Sequence, residues 1–292
     1  MSIAKRKMDV SGAVWLSGFS LILAFNQVVI KLTSGGLQPV FMASLRSFLA
    51  LVVLGIWMWS QNIAIFPKRH NIWSALLMGF LFYFEFVLLF QALDWTTVSR
   101  ASLLFYTMPI WLAISAHFLL PNETLTPKRI LGLIFAILGV ALALLDRPEE
   151  GEASLTGDIM ALVGAFGWAG IALCARVTRI SEERAETILF AQLLASGPLL
   201  LLSALFFGPF VREVDLFDGL GLLFQVFVAS YGFLLWFRLI GIYEASSVVS
   251  FSFLAPVLSV ALGWLILAEN AGWNLVFALV LVTAGLILIN RK

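Results

Sequence analysis

Arg46 and Glu85 sit where a charge is costly. Each lies inside a long apolar stretch, MASLRSFLALVVL for the arginine and GFLFYFEFVLLF for the glutamate. A charge near the middle of a membrane segment costs about 2.5–3.5 kcal/mol on insertion scales, so neither side chain is expected to face lipid. Counted inward from the outer ends of their stretches, Arg46 is nine residues deep and Glu85 six. At about 1.5 Å per residue, that difference is under one helical turn. Two chemistries are open to them. Glu85 could carry a proton or meet an amine, or the two could form a structural ion pair that ties their helices together, and the ion pair is the simpler reading.

Other polar and aromatic groups recur at helical spacing. Gly79, Tyr83, Phe86 and Phe90 share one face, and Ser99, Ser102, Tyr106 and Pro109 share another. Ser246, Ser250 and Phe253 form a third. Trp168 stands in GAFGWAGIA, where glycines would let a helix come close, and Asn26, Gln27, Ser230 and Tyr231 add hydrogen-bonding groups. A few polar groups among apolar and aromatic walls suit a pocket for a small amphipathic molecule. Against this stands the plainer reading, in which aromatic residues and serines simply pack between helices. Lys31 and Arg176, near segment ends, could attract a carboxylate or snorkel to the membrane surface. His117 reads as an interface residue.

Catalysis has little to work with. The chain holds two histidines, His70 and His117, and one cysteine, Cys174. It has no G-x-S-x-G, H-E-x-x-H or phosphate-loop pattern. No catalytic residue, metal site or cofactor is expected, and no ATP-driven activity. A lone cysteine allows no internal disulfide.

These residues must be positioned by elements immersed in lipid. The 292 residues are 61% hydrophobic and only 12% charged, with mean hydropathy +1.01; a soluble chain is about a quarter charged. The net charge of +1 and the lack of a basic stripe offer nothing to nucleic acid. Ten apolar segments reach membrane-spanning length, at about 11–32, 37–59, 71–91, 97–120, 128–145, 156–178, 186–207, 219–240, 244–267 and 273–290, against the roughly 17–25 residues a span needs. The basic start Lys5-Arg6-Lys7 reads as the flank of a retained first span. Lys and Arg concentrate in alternate connections, among them Lys68, Arg69, Lys128, Arg129, Arg179, Arg184 and Arg291. The opposite connections hold Lys31, Arg100, Arg147 and Arg212. This predicts both termini in the cytoplasm.

The chain repeats itself. Residues 73–110 align without a gap on 220–257, so Pro109 falls on Pro256 and Ser99 on Ser246. After one deletion, Glu123 falls on Glu269 and Gly139 on Gly285, and residues 11–31 align on 156–176. Neither Arg46 nor Glu85 recurs; their partners are Ala195 and Gly232. The units are 1–150 and 151–292, five spans each. Five is odd, so the second must enter the membrane from the opposite side. Inverted repeats recur in secondary transporters with a site near the bilayer midplane. Pro109 and Pro256 are candidate kinks or hinges. Gly132, Ala136, Gly139 and Ala143, echoed by Ala278 and Gly285, and the Ala161-Ala165-Ala169 line, form small faces for close helix contact. The fifth and tenth spans are therefore expected to be scaffold, packed on each other or in a dimer.

The arginine in MASLRSFLALVVL, the Ser/Ala-rich fourth span with its proline, and E-x-L-T-x-x-R-x-x-G-x-x-x-x-x-x-G at Glu123–Gly139 together resemble an EamA-type permease of the drug/metabolite transporter superfamily. Tyr106-Thr107-Met108-Pro109 and Trp168 look like the aromatic positions of the YddG-like branch, which exports aromatic and other apolar amino acids. The resemblance covers essentially the whole chain. It implies an inner-membrane exporter of small metabolites working by alternating access, as a monomer or weak homodimer. The expected substrate groups are Tyr83, Phe86, Ser102, Tyr106, Trp168, Asn26, Ser250, Phe253 and Tyr231. Relatives of this architecture also carry nucleotide sugars, amines and drugs. A channel or a structural membrane subunit remains the other class.

Overall fold

A computed structural model describes residues 9–120, 124–145, 153–243, 251, 253–270 and 272–290. Among the described residues the chain is almost entirely helical, and Leu37 and Val211 form an isolated antiparallel bridge. The helices are α1 Val10–Thr33, α2 Pro39–Ser60, α3 Ile72–Trp95, α4 Val98–Phe105, α5 Met108–Leu119, α6 Pro127–Leu145, α7 Leu155–Val177 and α8 Ala185–Ala204. α9 is Leu216–Phe227, α10 Phe233–Ile242, α11 Leu254–Leu267 and α12 Trp273–Asn290. Among the described residues eight helical stretches are long and apolar enough to cross a membrane, with α4–α5 and α9–α10 each counted as one, and α11 and α12 are shorter apolar helices.

Local chemistry sets the helix starts. Asp9 accepts from Gly12 N–H at 2.7 Å and Ser154 from Gly157 N–H at 3.0 Å. Gln38 caps α2 through Phe41 N–H at 2.6 Å, with Pro39 in the first turn, where a missing N–H is harmless. Asp215 and Asp218 form a reciprocal capping box on α9.

Two expectations about the spans change. The fourth is two helices rather than one kinked helix. Pro109 lies in the first turn of α5, and the break falls at Tyr106-Thr107. Thr107 Oγ1 donates to Leu104 O at 2.5 Å, and its carbonyl accepts from Ile110 N–H at 2.8 Å, so backbone groups freed by the break are satisfied. Pro256 likewise lies in the first turn of α11, so both repeat-equivalent prolines start helices. The eighth span contains a π turn, Val228–Gly232. Only the Leu254–Leu267 part of the ninth span, with Phe251 and Phe253, lies within the described residues.

The repeats interlock. α3 packs on α7 and α8, α2 on α8, α1 on α11, and α4 on α7 and α11. α6 lies directly on α12 at the small faces. A Cβ on Gly132 would stand 2.6 Å from Gly285 O, and one on Gly139 2.8 Å from Ala278 O. The expected scaffold contact is thus between these two helices. In α8, Pro198 sits mid-helix, and the neighbouring Gly197 carbonyl accepts from Ser44 Oγ at 3.0 Å.

The bundle has a near end, where the chain starts, and a far end. At the near end Tyr243 Oη donates to Asp9 at 2.8 Å, and Glu183 accepts from Lys68 N–H at 3.0 Å and Asn71 Nδ2 at 2.7 Å. Hydrogen bonds to Asn71 and Lys68 hold the Glu183 carboxyl below its ordinary value. The far end is more heavily tied. Asp94 pairs with Arg212 at 3.2 Å, and Arg212 also donates to Ser34 O at 2.7 Å. Lys31 Nζ donates to the carbonyls of Asp94 and Thr96 at 3.1 and 3.0 Å, so it ends α3 rather than reaching a ligand or the membrane surface. Arg176, its repeat partner, is exposed near the end of α7.

Arg100 corrects another expectation. It is not an outer-loop cation but is 3% exposed inside the bundle. Its Nε bonds both Asp158 oxygens at 3.2 and 3.1 Å, its Nη2 bonds Asp158 Oδ2 at 2.6 Å, and Nη2 also reaches Ala143 O at 2.5 Å. Thr96 Oγ1 completes Asp158 at 2.7 Å. This cluster joins α4 and α6 of the first repeat to α7 of the second.

Candidate functional site

Between the repeats lies a cavity of about 280 Å³. Each wall uses one helix face. α1 supplies Phe19, Leu23, Asn26 and Gln27, and α3 supplies Phe82, Glu85, Phe86 and Leu89. α7 supplies Trp168, Ile171, Ala172 and Ala175. These sets step by three and four residues, the stripe that one α-helical face presents. Arg46, Phe105, Tyr106, Gln192, Trp236 and Ala255 close the remaining sides. Val228 and Phe233 both line it although they are five residues apart. The intervening π turn brings them nearer to one face than a continuous α-helix would.

The walls are largely aromatic. Trp168 stacks on Phe105 with centroids 5.2 Å apart and meets Tyr106 edge-on at 5.7 Å. Phe82 lies 4.5 Å from Phe86, and Phe19 stacks on Trp236 at 5.3 Å. The glycines around Trp168 do bring α7 close to α3: a Cβ on Gly167 would stand 3.0 Å from the Glu85 backbone.

Polar groups enter at a few points. The Arg46 guanidinium lies over Phe86 at 4.1 Å and Phe90 at 4.9 Å, a favourable cation–π arrangement. Its Nε and Nη2 have no hydrogen-bond partner, and neither has Asn26 Oδ1. Gln27 is held by the Ser102 hydroxyl, which donates to its Oε1. The expected Arg46–Glu85 ion pair does not form. Both side chains line the cavity instead, because cation–π contacts fix Arg46 over the Phe86 and Phe90 rings.

The structure brings together Asn26, Phe86, Tyr106, Trp168, Arg46 and Glu85. It does not bring the others. Tyr83 points to α8, where its hydroxyl meets Ser203 Oγ at 2.8 Å. Gly79, on the same expected face, is pressed on Ala195, with an added Cβ only 2.5 Å away. Ser102 is fully buried behind the wall and acts through Gln27. Phe253 is buried in the core. Tyr231 is 51% exposed and faces an outer groove with Trp57 and Arg238, because the π turn rotates it away. Ser250 and Ser246 lie outside the described residues. Phe82, Leu89, Phe105, Gln192 and Trp236 were missed. Phe82, Glu85, Phe86 and Leu89 are themselves helically spaced, a signal that was present but competed with an equally apolar neighbouring face.

Comparison with known proteins settles the family. The model of the EamA-like transporter family matches twice, over residues 10–145 and 155–291. The chain belongs to the EamA-like transporter family. It is a multi-pass membrane transporter rather than an enzyme. The EamA-like chain is 27% identical to a probable amino-acid metabolite efflux pump of Salmonella typhimurium, over 91% of this chain and 90% of that one. It is 24% identical to the uncharacterized transporter YoaV of Bacillus subtilis, over 91% and 92%. A solved crystal structure, 20% identical, superposes with a TM-score of 0.68 over 96% of each chain, a likeness of fold.

Proposed function

We propose that this EamA-like transporter exports aromatic and other apolar amino acids across the inner membrane by alternating access. In this reading ten spans form two inverted repeats, 1–150 and 151–292, with both termini cytoplasmic. The observation that carries it is one cavity with aromatic walls and unpartnered polar groups between two repeats, beside a far end tied by Asp94–Arg212 and Arg100–Asp158. The lining residues Phe19, Met78, Ala175, Leu189 and Trp236 sit toward the near ends of their helices, so the cavity is accessible from the side of the N-terminus. Opening to the other side requires the far-end ties to part while near-end contacts such as Asp9–Tyr243 tighten. The double family match and the likeness to a probable amino-acid metabolite efflux pump of Salmonella support the same reading.

The test is counterflow of labelled amino acids into liposomes that hold the purified chain, without and with a pH gradient. Saturable entry of tryptophan or phenylalanine, but not of lysine or glutamate, is the expected result. Entry that needs no pH gradient would remove Glu85 as a coupling group. No amino-acid entry in either condition would overturn the substrate assignment in favour of an amine, a nucleotide sugar or a drug.

A further inference from the structure

We propose that Arg46 binds the carboxylate of the transported molecule, with Glu85 taking its ammonium group, so that the cavity selects a zwitterion. The inference rests on the amino-acid reading above and assigns roles that reading leaves open.

Arg100 and Arg46 are both buried, at 3% and 2% exposure. Arg100 directs its Nε and Nη2 at Asp158 in a side-on bidentate pair, the geometry in which a guanidinium best matches a carboxylate. Arg46 has the same edge, Nε and Nη2, without a partner, and it lines the cavity. For Arg100, which joins the helices, the fold supplies a carboxylate; for Arg46 it supplies none at this edge.

Arg46 is also fixed in orientation. Its guanidinium lies over Phe86 and Phe90, and the in-plane Nε–Nη2 edge, itself buried, has no acceptor. Glu85 is 6% exposed and lines the same cavity, yet Arg46 and Glu85 do not pair. Two ionisable groups of opposite kind face one space without a salt bridge between them, and a buried ionisable group is costly until it is paired. A ligand with one charge of each sign neutralises both. The repeat partners of the two residues are Ala195 and Gly232, so the second half folds without these charges. The aromatic wall of Phe105, Tyr106 and Trp168 then faces the ligand's apolar part.

The experiment uses the full chain in liposomes, with labelled phenylalanine counterflow and two competitors. Phenethylamine lacks the carboxylate and 3-phenylpropionate lacks the ammonium. In the wild type, phenethylamine is expected to compete roughly tenfold or more less well than phenylalanine, as loss of a charge-assisted bidentate contact implies. Arg46→Gln should raise the apparent KM for phenylalanine by a similar factor and leave phenethylamine competition unchanged. Arg46→Lys, which keeps the charge and loses the fork, should fall between. Glu85→Gln should weaken phenylalanine but not 3-phenylpropionate. Equal competition by phenethylamine and phenylalanine in the wild type overturns the assignment without any variant having to fold. So does an Arg46→Gln protein with an unchanged KM, or one that loses both ligands equally. If the wild type moves no amino acid, the amino-acid reading falls. The carboxylate role is then decided by thermal unfolding with 3-phenylpropionate: stabilisation of the wild type but not of Arg46→Gln upholds it, and no difference overturns it.

Discussion

Glu269 of the second repeat holds the first turn of α4 in the first. Its carboxylate accepts from Val98 N–H at 2.6 Å, from Ser99 N–H at 2.9 Å and from Ser99 Oγ at 2.6 Å. A carboxylate at a helix N-terminus satisfies backbone donors that have no partner within the helix and meets the positive end of the helix dipole. Gly263 makes room for it, since a Cβ there would stand 2.5 Å from the carboxylate. Glu269→Ala is expected to destabilise the chain by about 1–3 kcal/mol, the range for a lost cap and charged hydrogen bonds. Thermal unfolding in detergent measures it, and Glu269→Gln should recover part of the loss.

The Arg100–Asp158 pair makes a sharper demand. Removal of one partner from a buried pair costs roughly 3–5 kcal/mol because the other charge is stranded. Arg100→Met and Asp158→Leu should each lower the unfolding temperature strongly. The double variant should be less destabilised than the sum of the singles, and a double-mutant cycle of unfolding free energies reads the coupling. Additive effects would show that the pair contributes little.

Contact between α6 and α12 leaves no space for a side chain. Gly285→Val or Gly139→Val would place a branched side chain against backbone of the facing helix. Overpacking of this kind costs about 1–3 kcal/mol or more. Lower yield of monodisperse protein and a lower unfolding temperature are the expected outcomes, with Gly18→Ala, where an added Cβ meets nothing within 4 Å, as the tolerated control.

Transport should separate the aromatic residues by their place in the fold. Trp168→Ala removes the wall that stacks on Phe105. It is expected to raise KM by about threefold to tenfold, the equivalent of roughly 0.5–1.5 kcal/mol for an aromatic contact. Tyr231→Phe, on the outer surface, should leave KM unchanged. A matching loss in Tyr231→Phe would place the path elsewhere.

Acid should loosen the near end. The Glu183 carboxyl is held below its ordinary value by Asn71 and Lys68. A folded-state pKa lower than the unfolded one means stabilisation that is present above the unfolded pKa and lost as pH falls through the folded pKa. The unfolding temperature of the wild type should therefore exceed that of Glu183→Gln at neutral pH, and the two should converge in acid. A constant gap across the titration would remove the carboxylate from the effect.

Much of the architecture is legible in the residues alone. Long apolar runs separated by short polar turns specify membrane helices, since in lipid every backbone group must be satisfied within the segment. The alignment of 73–110 on 220–257 announces two related units, and the family match falls in two corresponding blocks. Small residues in the fifth and tenth spans marked the α6–α12 contact, because only glycine and alanine let backbones approach that closely. The expense of a charge in lipid singled out Arg46 and Glu85.

Other features depend on helix rotation. α3 is apolar all round, so Gly79-Tyr83-Phe86-Phe90 and Phe82-Glu85-Phe86-Leu89 were equally regular faces. Packing on α7 and α8 turned the second toward the cavity and the first toward Ala195 and Ser203. The π turn that moves Tyr231 outward has no local signature. Arg100 meets Asp158 only because residues 58 apart in sequence converge at the far end.

The sequence by itself determined the medium, the helical class, the twofold organisation and the presence of two costly charges, because these follow from hydrophobicity and local spacing. The tertiary structure decided which faces line the cavity, that Arg46 rests on phenylalanine rings rather than on Glu85, and that Arg100 and Glu269 bind the repeats together. Those outcomes depend on how the helices are rotated and which ends meet, and that is fixed by long-range packing.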